Sequence, residues 1–90
     1  GQVAVDGPAD IKGQAVQVLA QIDALLKDAG SDKSKMLFAQ IFLADIADYA
    51  AFNEVWDGWV DQQTPPARAC VQSPLVMPSW KVEVQVHAAL

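Results

Sequence analysis

A long amphipathic segment near the start of the chain constrains the fold more than any other feature. Between residues 9 and 29, Ile11, Ala15, Val18, Leu19, Ile22, Leu25, Leu26 and Ala29 recur at steps of three and four. That is the period of a single helix face. Gly30 stands where such a helix stops, and Gly13 weakens its first turns slightly. A helix with this stripe must bury it against something. After a polar connection at 31–35, residues 36–43 (MLFAQIFL) form a compact apolar run. Its length and its Phe, Ile and Leu content predict a buried strand in place of another helix.

The rest of the chain continues that alternation. The opening GQVAV reads as the end of a strand with Val3 and Val5 on one face, followed by a turn at Asp6, Gly7 and Pro8. Residues 45–48 turn the chain, with Asp48 placed as an N-cap. Phe52, Val55, Trp56 and Trp59 then recur at helical spacing across residues 49–60, as core of a second, aromatic-rich helix. A loop containing Pro65-Pro66 follows. Beyond Ala67 the pattern switches to a period of two: Arg68, Cys70 and Gln72 share one face of a strand, and Ala69, Val71 and Ser73 the other. A proline-containing loop at 74–79 leads to a last strand. There Val82, Val84, Val86 and Ala88 oppose Lys81, Glu83, Gln85 and His87.

The order β-α-β-α-β-β predicts one α+β domain over residues 1–90. A helix between two strands implies parallel pairing with a right-handed crossover. The last two strands are expected to pair as an antiparallel hairpin, which makes the sheet mixed. Both helices should cover one sheet face, against the valines. The opposite face is then expected to carry Arg68, Cys70 and Glu83, and to meet water or another subunit.

Composition narrows the function. With 52% hydrophobic and 19% charged residues, the chain is not intrinsically disordered. It has no apolar run long enough to span a bilayer and no secretory signal at its start, so a cytoplasmic location is expected. Its one cysteine, Cys70, excludes an internal disulfide. A small domain this apolar, without disulfide or metal cluster, is expected to gain stability by subunit association. The net charge is -5, and the six bases are five scattered lysines and Arg68. Neither nucleic acid nor an anionic membrane surface is expected as a partner, since both demand clustered Lys and Arg. One arginine can still bind one carboxylate.

Most catalytic templates fail. Cys70 and His87 lie on what should be neighbouring strands, without an orienting partner. A small buried thiol and an edge-strand histidine are the simpler reading. Zinc ligands at usable spacing, phosphate loops and dinucleotide fingerprints are absent. Arg68 stands out, because Pro65-Pro66-Ala67 fixes the backbone just before it. Glu83, on the expected partner strand, leaves two readings open. The two side chains form a cross-strand ion pair that stabilises a hairpin. Alternatively, the arginine grips a carboxylate while the glutamate holds or deprotonates a water.

The string PARACV followed by KVEVQVHAA resembles the C-terminal signature of the RidA (YjgF-type) reactive-intermediate deaminases. The likeness extends upstream through VLAQIDALLKDAGSDKSKMLFAQIFLADIADYAAFNEVWDGWV to the initial GQ. It implies a chorismate-mutase-like fold and a homotrimer with ligand clefts between subunits. It also implies hydrolysis of 2-imino acids, in equilibrium with enamines, to 2-keto acids and ammonia, with no metal or organic cofactor. Position by position, the resemblance assigns the substrate carboxylate to Arg68 and the attacking water to Glu83. It places Gly1, Asn53 and Cys70 around the ligand, Cys70 as a lining residue and not a nucleophile. Family chains start about two strands earlier, and an aromatic of that segment helps shape the pocket. Gln85 stands where a second acidic residue is common. The alternative from another class is a non-catalytic trimer that binds small carboxylates.

Overall fold

In a computed structural model of the chain, residues 2–3 and 10–89 are described. The expected turn at Asp6, Gly7 and Pro8, the facing of Val5 and the position of Gly1 lie outside the described residues.

Strand β1 (Gln2–Val3) precedes helix α1 (Ile11–Asp28). Asp10 caps α1 by accepting the Gly13 N–H at 2.8 Å, satisfying one of the free donors of the first turn. The far end closes as a Schellman motif, with Ser31 N–H donating to Leu26 and Gly30 N–H to Lys27 at 2.8 and 3.0 Å. Gly30 has φ of 80°, a conformation a side chain would oppose. The predicted stop is therefore the observed one. A 3₁₀ turn (Lys33–Lys35) leads into strand β2 (Met36–Leu43). A second (Ile46–Asp48) leads into helix α2 (Tyr49–Trp59). Here the cap differs from expectation. Asp48 occupies the N-cap position without a side-chain bond, and Asp45 instead accepts the Ala47 N–H at 2.9 Å. Strands β3 (Ala67–Gln72) and β4 (Val82–Ala88) complete the chain.

The strands form one mixed sheet in the order β1-β4-β2-β3. Strands β2 and β3, joined through α2, pair in parallel as expected. The expected β3–β4 hairpin does not form. Strand β4 lies between β1 and β2 and is antiparallel to both. The reason lies in burial. Val82 and Val84 are fully buried in the shared core with α1 residues, a setting that an outer position beyond β3 would not supply. The more polar β3 takes the sheet edge, where partial exposure is tolerated.

Both helices contribute to one core. Ala15, Val18, Leu19, Ile22 and Leu26 of α1 join Phe52 and Trp56 of α2 over Ala39, Ile41, Leu43, Val82 and Val84. Leu25, counted on the apolar stripe, is about half exposed. Among the described residues one polar residue is fully buried with them: Gln14. Its amide donates to the Ser79 carbonyl at 2.9 Å and accepts the Lys81 N–H at 2.8 Å, tying the entry to β4 onto α1. Such a group must be paired when buried, and this one is paired at both ends.

Candidate functional site

The site begins with the facing of β3. Arg68 is in register with Ala39, and Ala39 with Val86; Cys70 is in register with Ile41 and Val84. Residues opposite each other in a sheet point to the same side. Ala39, Ile41 and Val84 are buried under the helices, so Arg68, Cys70 and Gln72 share the helix-covered side. The expected grouping of these three on one strand face is correct, but the expected side is reversed. The bare face carries Ala69 and Val71 instead.

Helix α2 meets that row with a row of its own. Tyr49, Asn53 and Trp56, at steps of four and three, lie on one helix face. The Arg68 Nη1 donates to Asn53 Oδ1 at 2.7 Å, and Nη2 donates to the Tyr49 hydroxyl at 3.3 Å. The guanidinium carbon also lies 5.4 Å from the Trp56 ring centre and 5.8 Å from that of Tyr49. Ring faces attract a cation at this range. The arginine is thus fixed by four contacts from one helix. Beyond it, Ile46, Tyr49, Arg68 and Cys70 line an open cleft. Gln72 braces its far wall by accepting the Ile46 N–H at 2.8 Å. Burial pushes the Cys70 thiol above its usual pKa, and the nearby Arg68 charge opposes that in part. At neutral pH the thiol is protonated and a poor nucleophile.

Glu83 lies elsewhere. It is in register with Phe42, and Phe42 with Val71, on the face that the helices leave bare. Its cleft is lined by Phe42, Ser73, Pro74, Leu75 and Val76. The expected Arg68–Glu83 cross-strand pair is therefore overturned: β2 separates their strands and the sheet separates their side chains. Among the described residues the ion pair instead joins Lys12 of α1 to Glu54 of α2 at the surface. The Cys70–His87 pairing fails for the same reason. His87 is in register with Phe38 on the bare face, 6.3 Å between ring centres, and its strand does not adjoin that of Cys70.

Asn53 and Arg68, singled out from the sequence, are brought into contact. Cys70 joins them at the cleft wall, Glu83 does not, and Gly1 lies outside the described residues. Sequence reasoning missed Tyr49 and Ile46. Tyr49 carried a readable signal, since it lies one helical turn before Asn53. Among the described residues no group of His, Cys, Asp and Glu could hold a metal ion, and no helix is long and apolar enough to cross a membrane.

Comparison with known proteins places this arrangement. The family model described as "Endoribonuclease L-PSP" matches residues 1–90. A RutC family protein of Haemophilus influenzae is 53% identical over 75 residues, covering 83% of this chain and 65% of its own. The chain belongs to the RidA/YjgF family. A crystal structure of a YjgF-family protein from Neisseria meningitidis superposes with a TM-score of 0.94 at 46% identity, covering 98% of this chain and 73% of that one. The 3-aminoacrylate deaminase RutC of Acinetobacter baylyi is 39% identical over 75 residues, or 83% of this chain and 59% of its own. This chain thus spans 65% of the Haemophilus relative's length. The two helices over one face of a mixed sheet, read from the sequence as the RidA-type architecture, are the fold of the family.

Proposed function

We propose that this RidA-family chain hydrolyses reactive 2-imino acids, such as those in equilibrium with 2-aminoacrylate and 2-aminocrotonate, to 2-keto acids and ammonia. The observation that carries this reading is the Arg68 guanidinium, held by Asn53, Tyr49 and Trp56 at an open cleft. A pre-oriented guanidinium is suited to a planar carboxylate and loses little freedom on binding it. The 3-aminoacrylate deaminase among the relatives supports deamination of a small enamine acid. Water adds to the imine carbon to give a carbinolamine; the C–N bond then breaks, ammonia leaves and the carbonyl forms. The imine carbon is already electrophilic, so the protein's task is to hold the anion and place the water.

Glu83 is the residue we assign to the water. Because its side chain and that of Arg68 lie on opposite faces of one sheet, a site using both draws them from two copies. This favours clefts between subunits of a homotrimer. The bare face supports association: Val71 and Val76, at 44% and 86% exposure, present apolar surface beside Glu83. Asn53 acts through Arg68 and Cys70 lines the cleft; Gly1 is assigned to the ligand by the family resemblance alone. No organic cofactor or metal enters the reaction. The family model's description names an endoribonuclease, but a net charge of -5 with a single arginine gives little to track phosphates.

The test couples the protein to a pyridoxal-phosphate dehydratase that releases 2-aminoacrylate or 2-aminocrotonate, with semicarbazide present. Keto acid should form faster with the protein, and Arg68→Ala should remove the acceleration. The separation of Arg68 from Glu83 within one chain favours a second reading, a binder of small carboxylates. Keto-acid binding without acceleration would establish it.

A further inference from the structure

We propose that the Tyr49 hydroxyl is a second donor to the ligand carboxylate, acting beside Arg68. This rests on the carboxylate-binding reading above and assigns a further residue to that site. Arginine carries donors only, so in the 3.3 Å contact between Arg68 Nη2 and the Tyr49 hydroxyl the phenol oxygen must accept. A phenol also has one hydrogen to give. No acceptor for that hydrogen occurs among the described residues. Tyr49 as a residue is 42% exposed and forms part of the same cleft wall as Arg68, Ile46 and Cys70.

The two groups complement each other. The guanidinium spends one N–H on Asn53 and one on Tyr49, leaving three of its five. A carboxylate accepts only, with two oxygens. One oxygen can take a remaining guanidinium N–H and the other the phenol O–H, with the phenol oxygen still accepting from Arg68. Each of these bonds strengthens the next, because donation from the charged arginine polarises the phenol towards being a better donor. Ile46, 49% exposed across the cleft, offers an apolar surface for a short aliphatic tail. The site therefore suits a small carboxylate with a short apolar side chain.

Tyr49 is the chain's only tyrosine, so biosynthetic 3-fluorotyrosine labels this position alone. Fluorine acidifies the phenol with almost no added bulk, making it a better donor and a poorer acceptor. The experiment titrates 2-ketobutyrate into the unlabelled protein, the fluorinated protein, Tyr49→Phe and Arg68→Ala, with thermal melts of each. Affinity is expected to fall about tenfold in Tyr49→Phe, the loss of one hydrogen bond to a charged group, with the melting temperature nearly unchanged. The fluorinated protein should bind about twofold tighter, as a donor role requires. Weaker binding on fluorination would show that Tyr49 serves only as an acceptor for Arg68, and would overturn the proposal. So would unchanged affinity in Tyr49→Phe with binding lost in Arg68→Ala, a result that leaves the arginine's role standing. If the unlabelled protein does not bind 2-ketobutyrate, both the proposal and the carboxylate reading fall.

Discussion

The two faces of the sheet differ in how far the chain itself surrounds their polar residues. On the helix-covered side Arg68 meets Asn53, Tyr49 and Trp56, and every one of those contacts comes from the same chain. On the bare side Glu83 stands among Phe42 and the loop residues Ser73, Pro74, Leu75 and Val76, with apolar surface left open to solvent. The first region is pre-organised by its own fold. The second leaves Val71 and Val76 exposed, apolar surface of the kind that association covers. Under the proposed trimer, the first face is furnished by one protomer and the second is completed by a neighbour.

The comparison can be broken most severely in the core that supports the first face. Phe52 is fully buried between the helices and the sheet, and Phe52→Ala is expected to cost about 3–5 kcal/mol of stability. Denaturant unfolding measures this directly; a loss well under that range would mean that the arginine's platform is less rigid than described. Next comes Arg68→Ala, expected to weaken keto-acid binding about a hundredfold, the scale of removing one partner from a charged pair. Glu83→Gln should separate the two faces most clearly. Turnover is expected to fall about a hundredfold, the scale of lost general-base assistance, while keto-acid affinity stays near that of the unsubstituted protein. A matching loss of affinity would place Glu83 in ligand binding and merge the two regions.

Asn53→Ala is a smaller perturbation. It removes the 2.7 Å anchor of Arg68 but leaves both rings in place, so ligand affinity should drop about tenfold. The effect should show mainly in KM, since the arginine is loosened and not removed. The mildest prediction concerns Cys70. Burial raises its pKa, so the thiolate fraction at neutral pH is below that of an ordinary cysteine and grows only as the pH climbs past the usual thiol range. Alkylation by iodoacetamide at pH 7 should be slower than for a free thiol. Bound carboxylate should slow it further, because Cys70 shares the cleft wall with Arg68.

Local pattern made most elements legible. The α1 stripe, its stop at Gly30, the β2 run and the alternation within β3 and β4 are all written in near neighbours, and each formed where its period placed it. Strand partners are not local. Strands β3 and β4 are consecutive, and consecutive strands are usually adjacent, yet burial of Val82 and Val84 draws β4 between β1 and β2. The side of the sheet on which Arg68 lies was equally hidden. The alternative row, Ala69 and Val71, is the more apolar one and looks like the core side. What outweighs it is a set of contacts across the gap to α2, between residues 49, 53, 56 and 68. The Pro65-Pro66-Ala67 run singles out Arg68 and family likeness singles out Asn53, but their contact follows only once α2 lies over β3. Glu83 lies on the bare face where it is expected; its pairing with Arg68 fails because the hairpin does not form and Arg68 faces the other way.

In the proposed function a working site takes Arg68 from one copy and Glu83 from another. Subunit mixing tests it most directly. Arg68→Ala and Glu83→Gln proteins, each inactive alone, would be unfolded together, refolded at equal amounts and assayed for imine hydrolysis. If neighbouring copies complete the site, random assembly restores about a quarter of the original activity, since only an intact arginine beside an intact glutamate works. Mixed assemblies that form but stay as inactive as the parent variants would contradict the claim.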